Sequence, residues 1–140
     1  PRHASRSQVL QVLYQLDTQE LTVQTGLSYF RLNFDTKGAE AAFVERLLTG
    51  VVETKNNLDE VINLSSSSSG WRVDRMSRVD RNILRIGTYE ILHCDDIPAA
   101  VTINEMIELA KSFGEPESAK FVNAVLDAIR KKNPQPNKAP

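Results

Sequence analysis

The stretch SRVDRNILRIGTYEIL, residues 77–92, decides the fold class of this chain. Its apolar side chains recur every three or four positions, which is the period of an α-helix with one buried face. They are Val79, Ile83, Leu84, Ile86 and Ile91. Ser77 with Asp80 resembles a helix start, and Pro98 marks a helix end because the residue before a proline avoids helical backbone angles. The stretch therefore predicts an amphipathic helix.

The same period continues on both sides of that helix. Apolar residues at helical spacing occupy four further segments, Val9–Leu16, Phe43–Ile62, Ile103–Phe113 and Val122–Ile129. No stretch shows the apolar–polar alternation and tight turns of paired strands. The sequence therefore predicts an all-α protein, a compact bundle of about seven helices.

Short motifs predict where helices begin and end. Ser5 with Gln8, and Thr102 with Glu105, have the spacing of a capping box, in which each side chain bonds the backbone of the other residue. Gly114 follows an apolar stripe, where a left-handed C-terminal cap is expected. We expect helices to start at Ser5 and Thr102 and one to end at Gly114.

Two segments have compositions that cannot form a core. Residues 65–69 are five serines followed by Gly70, which predicts a flexible loop. Residues 133–140 contain three prolines and no apolar stripe. We therefore expect one domain over residues 1–132 and a disordered Pro-rich tail over residues 133–140.

Composition limits the classes of function. No apolar run is long enough for a membrane span, and a single cysteine, Cys94, fits a reducing cytosol, so we expect a cytoplasmic protein without a membrane partner. The 17 basic and 18 acidic residues give a net charge of -1. Proteins that coat nucleic acid non-specifically are usually basic. Any nucleic-acid binding must therefore come from a local patch.

Motifs for catalysis or metal binding are not found. The sequence has no phosphate-cradling glycine loop, no H-E-x-x-H and no G-x-S-x-G. Neither His3 nor His93 has a companion ligand at metal spacing. His93 and Cys94 stand beside two aspartates, but a polar loop that stops a helix explains this group better than a catalytic cluster. We expect a protein that is not an enzyme and has no cofactor or metal.

Three groups of residues are candidates for anion or base contacts. Arg2, His3 and Arg6 precede every acidic residue, and a helix start does not favour cations, so they suit an external phosphate or, equally, a frayed solvated terminus. Phe121 stands beside Lys120 at the edge of an apolar stripe, which suits either a base-stacking ring or a core phenylalanine. The third group is an arginine row, Arg72, Arg75, Arg78, Arg81 and Arg85, which would share one helix face and is typical of ion pairs with interleaved aspartates.

Several linked motifs together carry a family resemblance. The chain resembles the NusB transcription antitermination factors in six segments that occur in the family's order. These are QVLY (11–14), DRNILRIGTYE (80–90), IP (97–98), VTINE (101–105), ELAKSFG (108–114) and KFVN (120–123). The resemblance covers nearly the whole chain.

The resemblance implies a fold and a function. It implies two small helical subdomains that bind single-stranded boxA RNA together with NusE, a small-subunit ribosomal protein, and that help RNA polymerase read through ribosomal RNA operons. It implies RNA contacts by one set of residues: Arg2, His3, Arg6, Glu117, Ser118, Lys120 and Phe121. It places Tyr14 and Asp80 on the NusE-binding side.

Departures from the family pattern leave alternatives open. His3 and Ala4 stand where many members carry arginines, which should weaken phosphate binding. Ala124 stands where a glycine is usual. A helical protein-interaction module, or a self-associating homodimer whose RNA surface is covered, therefore remains the alternative. An RNA-binding appendage of a ribosomal RNA methyltransferase is a third, although no methyl-donor motif is present.

Overall fold

A computed structural model describes residues 2–134 of the chain. Within that range it contains six α-helices, two short 3-10 helices and no β-strand, and no helix long and apolar enough to cross a membrane. The α-helices are α1 (Arg2–Gln15), α2 (Val23–Asn33), α3 (Gly38–Ser65), α4 (Arg78–His93), α5 (Ala99–Phe113) and α6 (Ser118–Lys132). The 3-10 helices Ser67–Ser69 and Val73–Arg75 lie between α3 and α4. The all-α class is confirmed, with six α-helices where the sequence predicts about seven.

The chain divides into two compact units, Pro1–Thr54 and Lys55–Pro140, as expected for two small helical subdomains. The division falls inside α3. The predicted tail over residues 133–140 falls mostly on 135–140, which lie outside the described residues, as does Pro1. Asn133 ends α6, and its side-chain amide donates to the Ile129 carbonyl at 2.9 Å.

The first unit contains α1, α2 and the N-terminal part of α3. Its buried apolar side chains are Val9, Leu10, Val12, Leu13, Leu16, Phe30, Phe43, Val44, Leu47, Leu48 and Val51. The predicted capping box at Ser5 is wrong, because α1 already begins at Arg2. Ser5 is buried, and its hydroxyl donates to the Glu40 carbonyl on α3 at 3.3 Å. The Ser5 hydroxyl therefore links α1 to α3 and does not cap a helix.

The second unit is a three-helix core of α4, α5 and α6, which pack against one another in every pair. The α6 stripe predicted from spacing, Val122, Val125, Leu126 and Ile129, is buried. Gly87 of α4 lets the helices approach closely. A Cβ atom at that position would lie 2.8 Å from a methyl group of Leu126 and 3.0 Å from Cγ of Met106. A larger residue there would force the helices apart.

The predicted helix ends in this unit have different outcomes. Ser77 is the N-cap of α4, and its hydroxyl oxygen accepts from the Asp80 amide at 3.0 Å, which confirms the prediction. The Thr102 box is wrong, since α5 begins at Ala99, and the buried Thr102 hydroxyl donates to Glu90 Oε1 at 2.7 Å. Gly114 caps the end of α5 as predicted, but it is not left-handed, with φ −96° and ψ −173°. Glycine suits the position because a Cβ would lie 2.6 Å from the hydroxyl oxygen of Ser118.

The serine run forms a hydrogen-bonded turn where the sequence predicts a flexible loop. The buried Ser66 hydroxyl donates to the Trp71 carbonyl at 2.7 Å. The Ser69 hydroxyl donates to the Ser66 carbonyl at 2.6 Å, and Gly70 closes the turn at φ +79°. Short hydroxyl side chains supply the bonds that the backbone of a tight turn leaves unmade. The segment therefore presents Trp71 from an ordered backbone.

Candidate nucleic-acid interface

A groove of about 510 Å³ opens on the second unit. It is lined by the segment before α4, the first turn of α4, and the segment that leads into α6. The residues that line it are Trp71, Arg75, Met76, Ser77, Asp80, Glu115, Glu117, Ser118, Lys120, Phe121 and Ala124. The structure thus brings together five residues that the resemblance implicates, four for RNA and Asp80 for the partner protein.

Phe121 lies in the first turn of α6 and is half-buried. Its neighbour Val122 is fully buried in the core, so the helix period sets Phe121 at the edge of the apolar face. The ring is not fully buried, so Phe121 is not the core phenylalanine that the sequence also allowed. Part of the ring surface remains open to the groove, where it is able to stack on a flat ligand.

The polar residues around Phe121 differ in accessibility. Glu117 and Lys120 are exposed, whereas Ser118 is buried. The hydroxyl oxygen of Ser118 accepts from the Glu115 amide at 3.0 Å and so shapes the turn that leads into α6. Ser118 holds the groove wall in shape, and its predicted RNA contact stays a prediction.

Asp80 lies in the first turn of α4, and only its backbone amide takes part in the cap at Ser77. Its Oδ1 atom is shielded from solvent and has no hydrogen-bond partner among residues 2–134. A carboxylate in the first turn is stabilised by the partial positive charge of the helix start. The partner-binding role of Asp80 remains a prediction, now located on the same groove as Phe121.

Trp71 also lines this groove, although the sequence did not indicate it as a site residue. Trp71 precedes the Val73–Arg75 3-10 helix and is 52% exposed. Met76 is mostly buried, whereas Ala124 is exposed. The chain contains one tryptophan, placed directly before the arginine row, and that was the available signal. Its distance in sequence from Phe121 gave no reason to link the two rings.

The arginine row is not one helix face, which corrects the prediction. Arg72 and Arg75 precede α4, and only Arg78, Arg81 and Arg85 lie on it. Arg85 is buried and makes two hydrogen bonds with Asp59 of α3, Nε to Oδ1 at 2.8 Å and Nη2 to Oδ2 at 3.0 Å. The expectation of ion pairing therefore holds for Arg85, which stabilises the second unit rather than a surface patch.

The N-terminal cations lie on α1 in the first unit. The backbone is helical from Arg2 onward, so these residues do not lie in a frayed coil. Arg2 and His3 are exposed, whereas Arg6 is 2% exposed. The guanidinium carbons of Arg2 and Arg6 lie 4.3 Å and 5.2 Å from the centre of the Phe43 ring. One buried ring of α3 therefore holds both arginines by cation–π attraction.

Two further predictions concern residues away from the groove. Tyr14 lies on α1 and is 38% exposed, so its side chain is accessible to a partner, and that role stays a prediction. Among residues 2–134 the structure has no group of three or more histidine, cysteine, aspartate or glutamate side chains that could hold a metal ion.

The family model and the curated relatives that match this chain all point to the same family. The model of the NusB family matches residues 3–131. The transcription antitermination protein NusB of Bacillus velezensis is 42% identical over 129 residues, which is 92% of this chain and 95% of that protein. The NusB of Bacillus subtilis strain 168 is 40% identical over 92% of this chain and 94% of that protein.

Solved structures agree on the fold. The T. maritima NusB structure superposes with a TM-score of 0.87 at 34% identity, covering 99% of this chain and 96% of that one. A chain from a crystal structure of NusB and NusE in complex with dsRNA gives a TM-score of 0.82 at 24% identity, covering 94% and 96%. The matched span and the identity with these relatives show that this chain belongs to the NusB family.

Proposed function

We propose that this chain is a transcription antitermination factor that binds single-stranded boxA RNA together with NusE. Through that complex it joins the RNA polymerase elongation complex in the cytoplasm and supports read-through of ribosomal RNA operons. Its relatives are named transcription antitermination proteins, and a chain of similar fold belongs to a solved complex of NusB and NusE with dsRNA. The role is that of a non-catalytic adaptor formed by residues 1–132.

The observation that carries the proposal is the groove around Phe121. A half-buried ring with an exposed lysine beside it offers a stacking surface and a phosphate contact in one place. Stacking of one base on an aromatic side chain contributes about 1–3 kcal/mol. Because a ring can stack only on an unpaired base, the groove favours single strands over duplexes.

The N-terminal cations contribute differently from one another. Arg2 and His3 are exposed and meet RNA phosphates directly. Arg6 is buried against Phe43, so it adds positive potential and supports the helix that presents Arg2. Phosphate contacts carry no sequence information, so this end of the chain provides affinity and the groove provides selectivity.

The partner protein adds to these contacts. Asp80 contacts NusE and lines the same groove as Phe121, so the partner and the RNA approach adjoining surfaces of the second unit. Tyr14 of the first unit is a further contact with NusE. Two linked binding events reinforce each other through effective concentration, so modest individual contacts suffice.

Fluorescence anisotropy with labelled boxA RNA tests the proposal. We expect the single strand to bind more tightly than its own duplex or a shuffled strand, and more tightly when purified NusE is present. Affinity should fall with salt, with a slope set by the few phosphates contacted. Equal binding of all three RNAs, or no effect of NusE, would contradict the proposal.

Burial of Arg6 gives specific support to a second candidate. Only Arg2 and His3 of the N-terminal cluster remain exposed, and Leu32 of α2 is 85% exposed on the same unit. An interaction module that self-associates as a homodimer, with weak RNA binding, would fit these features. Sedimentation with and without boxA RNA separates the two, because a homodimer that covers the RNA surface would dissociate on RNA binding.

A further inference from the structure

We propose that Trp71 is the second aromatic wall of the groove, so that an unpaired base of the RNA is held by Trp71 and Phe121 together while Arg75 meets a neighbouring phosphate. The inference rests on the proposed RNA-binding function and deepens it. Trp71 was not among the residues that the sequence indicated for RNA, and Arg75 belonged to the arginine row for which ion pairs were expected.

The exposure of Trp71 is the first argument. Tryptophan is highly buried on average in folded proteins, yet this one leaves 52% of its surface to solvent. It lines the groove together with Phe121. A large ring left open at a groove wall is typical of a binding surface, since burying it would otherwise have stabilised the core.

The backbone that carries Trp71 is held in place on both sides. Its carbonyl accepts from the Ser66 hydroxyl at 2.7 Å, and its amide donates to the Ser69 hydroxyl at 3.3 Å. The Val73 amide donates to Asn63 Oδ1 on α3 at 2.8 Å. An exposed ring on a fixed backbone loses little conformational freedom when a ligand stacks on it. The serine turn therefore pre-organises the ring for binding.

The charges around the groove determine which part of a nucleotide enters it. Arg75 and Lys120 are exposed, and the Arg75 side chain makes no hydrogen bond or ion pair with any of the residues described. Asp80, Glu115 and Glu117 line the same groove and repel phosphate. Phosphates therefore lie at Arg75 and Lys120, and the uncharged base enters between the rings.

The size and lining of the groove suit a base. Its volume of about 510 Å³ lies within the roughly 300–1,000 Å³ range of sites that hold small organic groups. Met76 and Ala124 add apolar surface beside the rings. The combination of two aromatic rings and two cations is the one that single-stranded nucleic-acid sites use. Arg75 and Lys120 would repel a basic peptide, and the three carboxylates would repel an acidic one. An uncharged base is therefore the ligand that fits the groove.

The single tryptophan makes the test direct, because emission excited at the long-wavelength edge, where the tyrosines do not absorb, reports on Trp71 alone within this chain. We expect single-stranded boxA RNA to quench this emission, and a strand with the same sugar-phosphate backbone but no bases to leave it unchanged. Trp71→Ala should weaken RNA binding about 5- to 100-fold, and Trp71→Phe much less, because the ring is kept. Arg75→Ala should lower the slope of affinity against salt by about one.

Phe113→Ala is the matched control, since Phe113 is an exposed aromatic residue of α5 that does not line the groove. Unchanged emission on RNA binding, with Phe121→Ala still weakening the complex, would overturn the role of Trp71 and leave the proposed function intact. A change in emission on adding NusE alone, and none with RNA, would assign the groove to the protein partner. If wild-type protein with NusE binds no boxA RNA, the proposed function itself fails. Should Trp71→Ala lose helicity, the emission test on wild-type protein decides.

Discussion

The N-terminal cations of α1 and the groove of the second unit differ in how their residues come together. Arg2 and Arg6 are one helical turn apart, and their common face meets one ring, that of Phe43. The groove gathers residues from two distant parts of the chain, represented by Trp71 and Phe121. A cluster of arginines in the sequence thus overstates how many cations are exposed to a ligand. A site whose residues are brought together only by tertiary packing is hard to recognise from any one stretch of sequence.

The largest expected effect concerns an arginine that resembles a surface cation in sequence and is buried in the structure. Arg85→Ala leaves Asp59 without its bidentate partner and also removes the 3.1 Å hydrogen bond to Asn82 Oδ1. Breaking a buried ion pair costs about 3–5 kcal/mol, and Asp59 is partly exposed, so we expect about 3 kcal/mol. Urea unfolding measures the loss. The double variant Arg85→Met, Asp59→Leu should recover most of it, and a stability within 0.5 kcal/mol of wild type for Arg85→Ala would place Arg85 with the surface cations.

Phe121→Ala tests the groove side of the comparison. Loss of the stacking ring should cost about 1–3 kcal/mol in binding of boxA RNA and much less in binding of a shuffled strand. Phe121→Leu is the control, because it keeps an apolar side chain and removes the stacking surface. Anisotropy titrations of both variants check the result. If Phe121→Leu binds boxA RNA as wild type does, the ring acts by packing alone.

The fold was largely predictable because burial follows the helical period directly. The α6 stripe from Val122 to Ile129 is buried as predicted. Capping motifs were less reliable because a serine or threonine with the right spacing also occurs inside helices. Ser77 caps α4, whereas Ser5 and Thr102 bond to Glu40 and Glu90, partners that only tertiary structure supplies.

The candidate site was predictable only in part. Phe121 and Lys120 were found from their place at a stripe edge and from the family resemblance. Trp71 and Arg75 were missed as groove residues, because their approach to the start of α6 depends on how α4 and α6 pack. The exposure of a side chain was equally hard to predict, since nothing in the spacing of Arg2 and Arg6 distinguishes the exposed arginine from the buried one.

Substitution of the two N-terminal arginines should separate their roles. Arg2→Ala should reduce the salt slope of RNA binding by about one and lower the free energy of unfolding less than Arg6→Ala does, because Arg2 is exposed and solvent weakens its contact with the Phe43 ring. Arg6→Ala should lower stability by about 1 kcal/mol, since its guanidinium packs on the buried Phe43 ring. Thermal unfolding and titrations at two salt concentrations provide both measurements. An unchanged stability for Arg6→Ala, with RNA binding lost, would make it a direct phosphate contact like Arg2.

The smallest effect is expected at the C-terminal end of α6, which lies outside the groove. Hydrogen bonds from Lys131 and then Arg130 lower the pKa of Asp127. A carboxyl group whose pKa is lower in the folded state stabilises the fold above its unfolded pKa of about 3.9, and this contribution disappears as pH falls through the folded pKa. Because Arg130 and Lys131 are exposed and Asp127 is partly exposed, Asp127→Asn should cost at most about 0.5 kcal/mol at pH 7 and nothing near pH 2. Its RNA affinity should match that of wild type. Denaturant unfolding at both pH values checks this, and a loss that persists at pH 2 would show that Asp127 acts by packing rather than by charge.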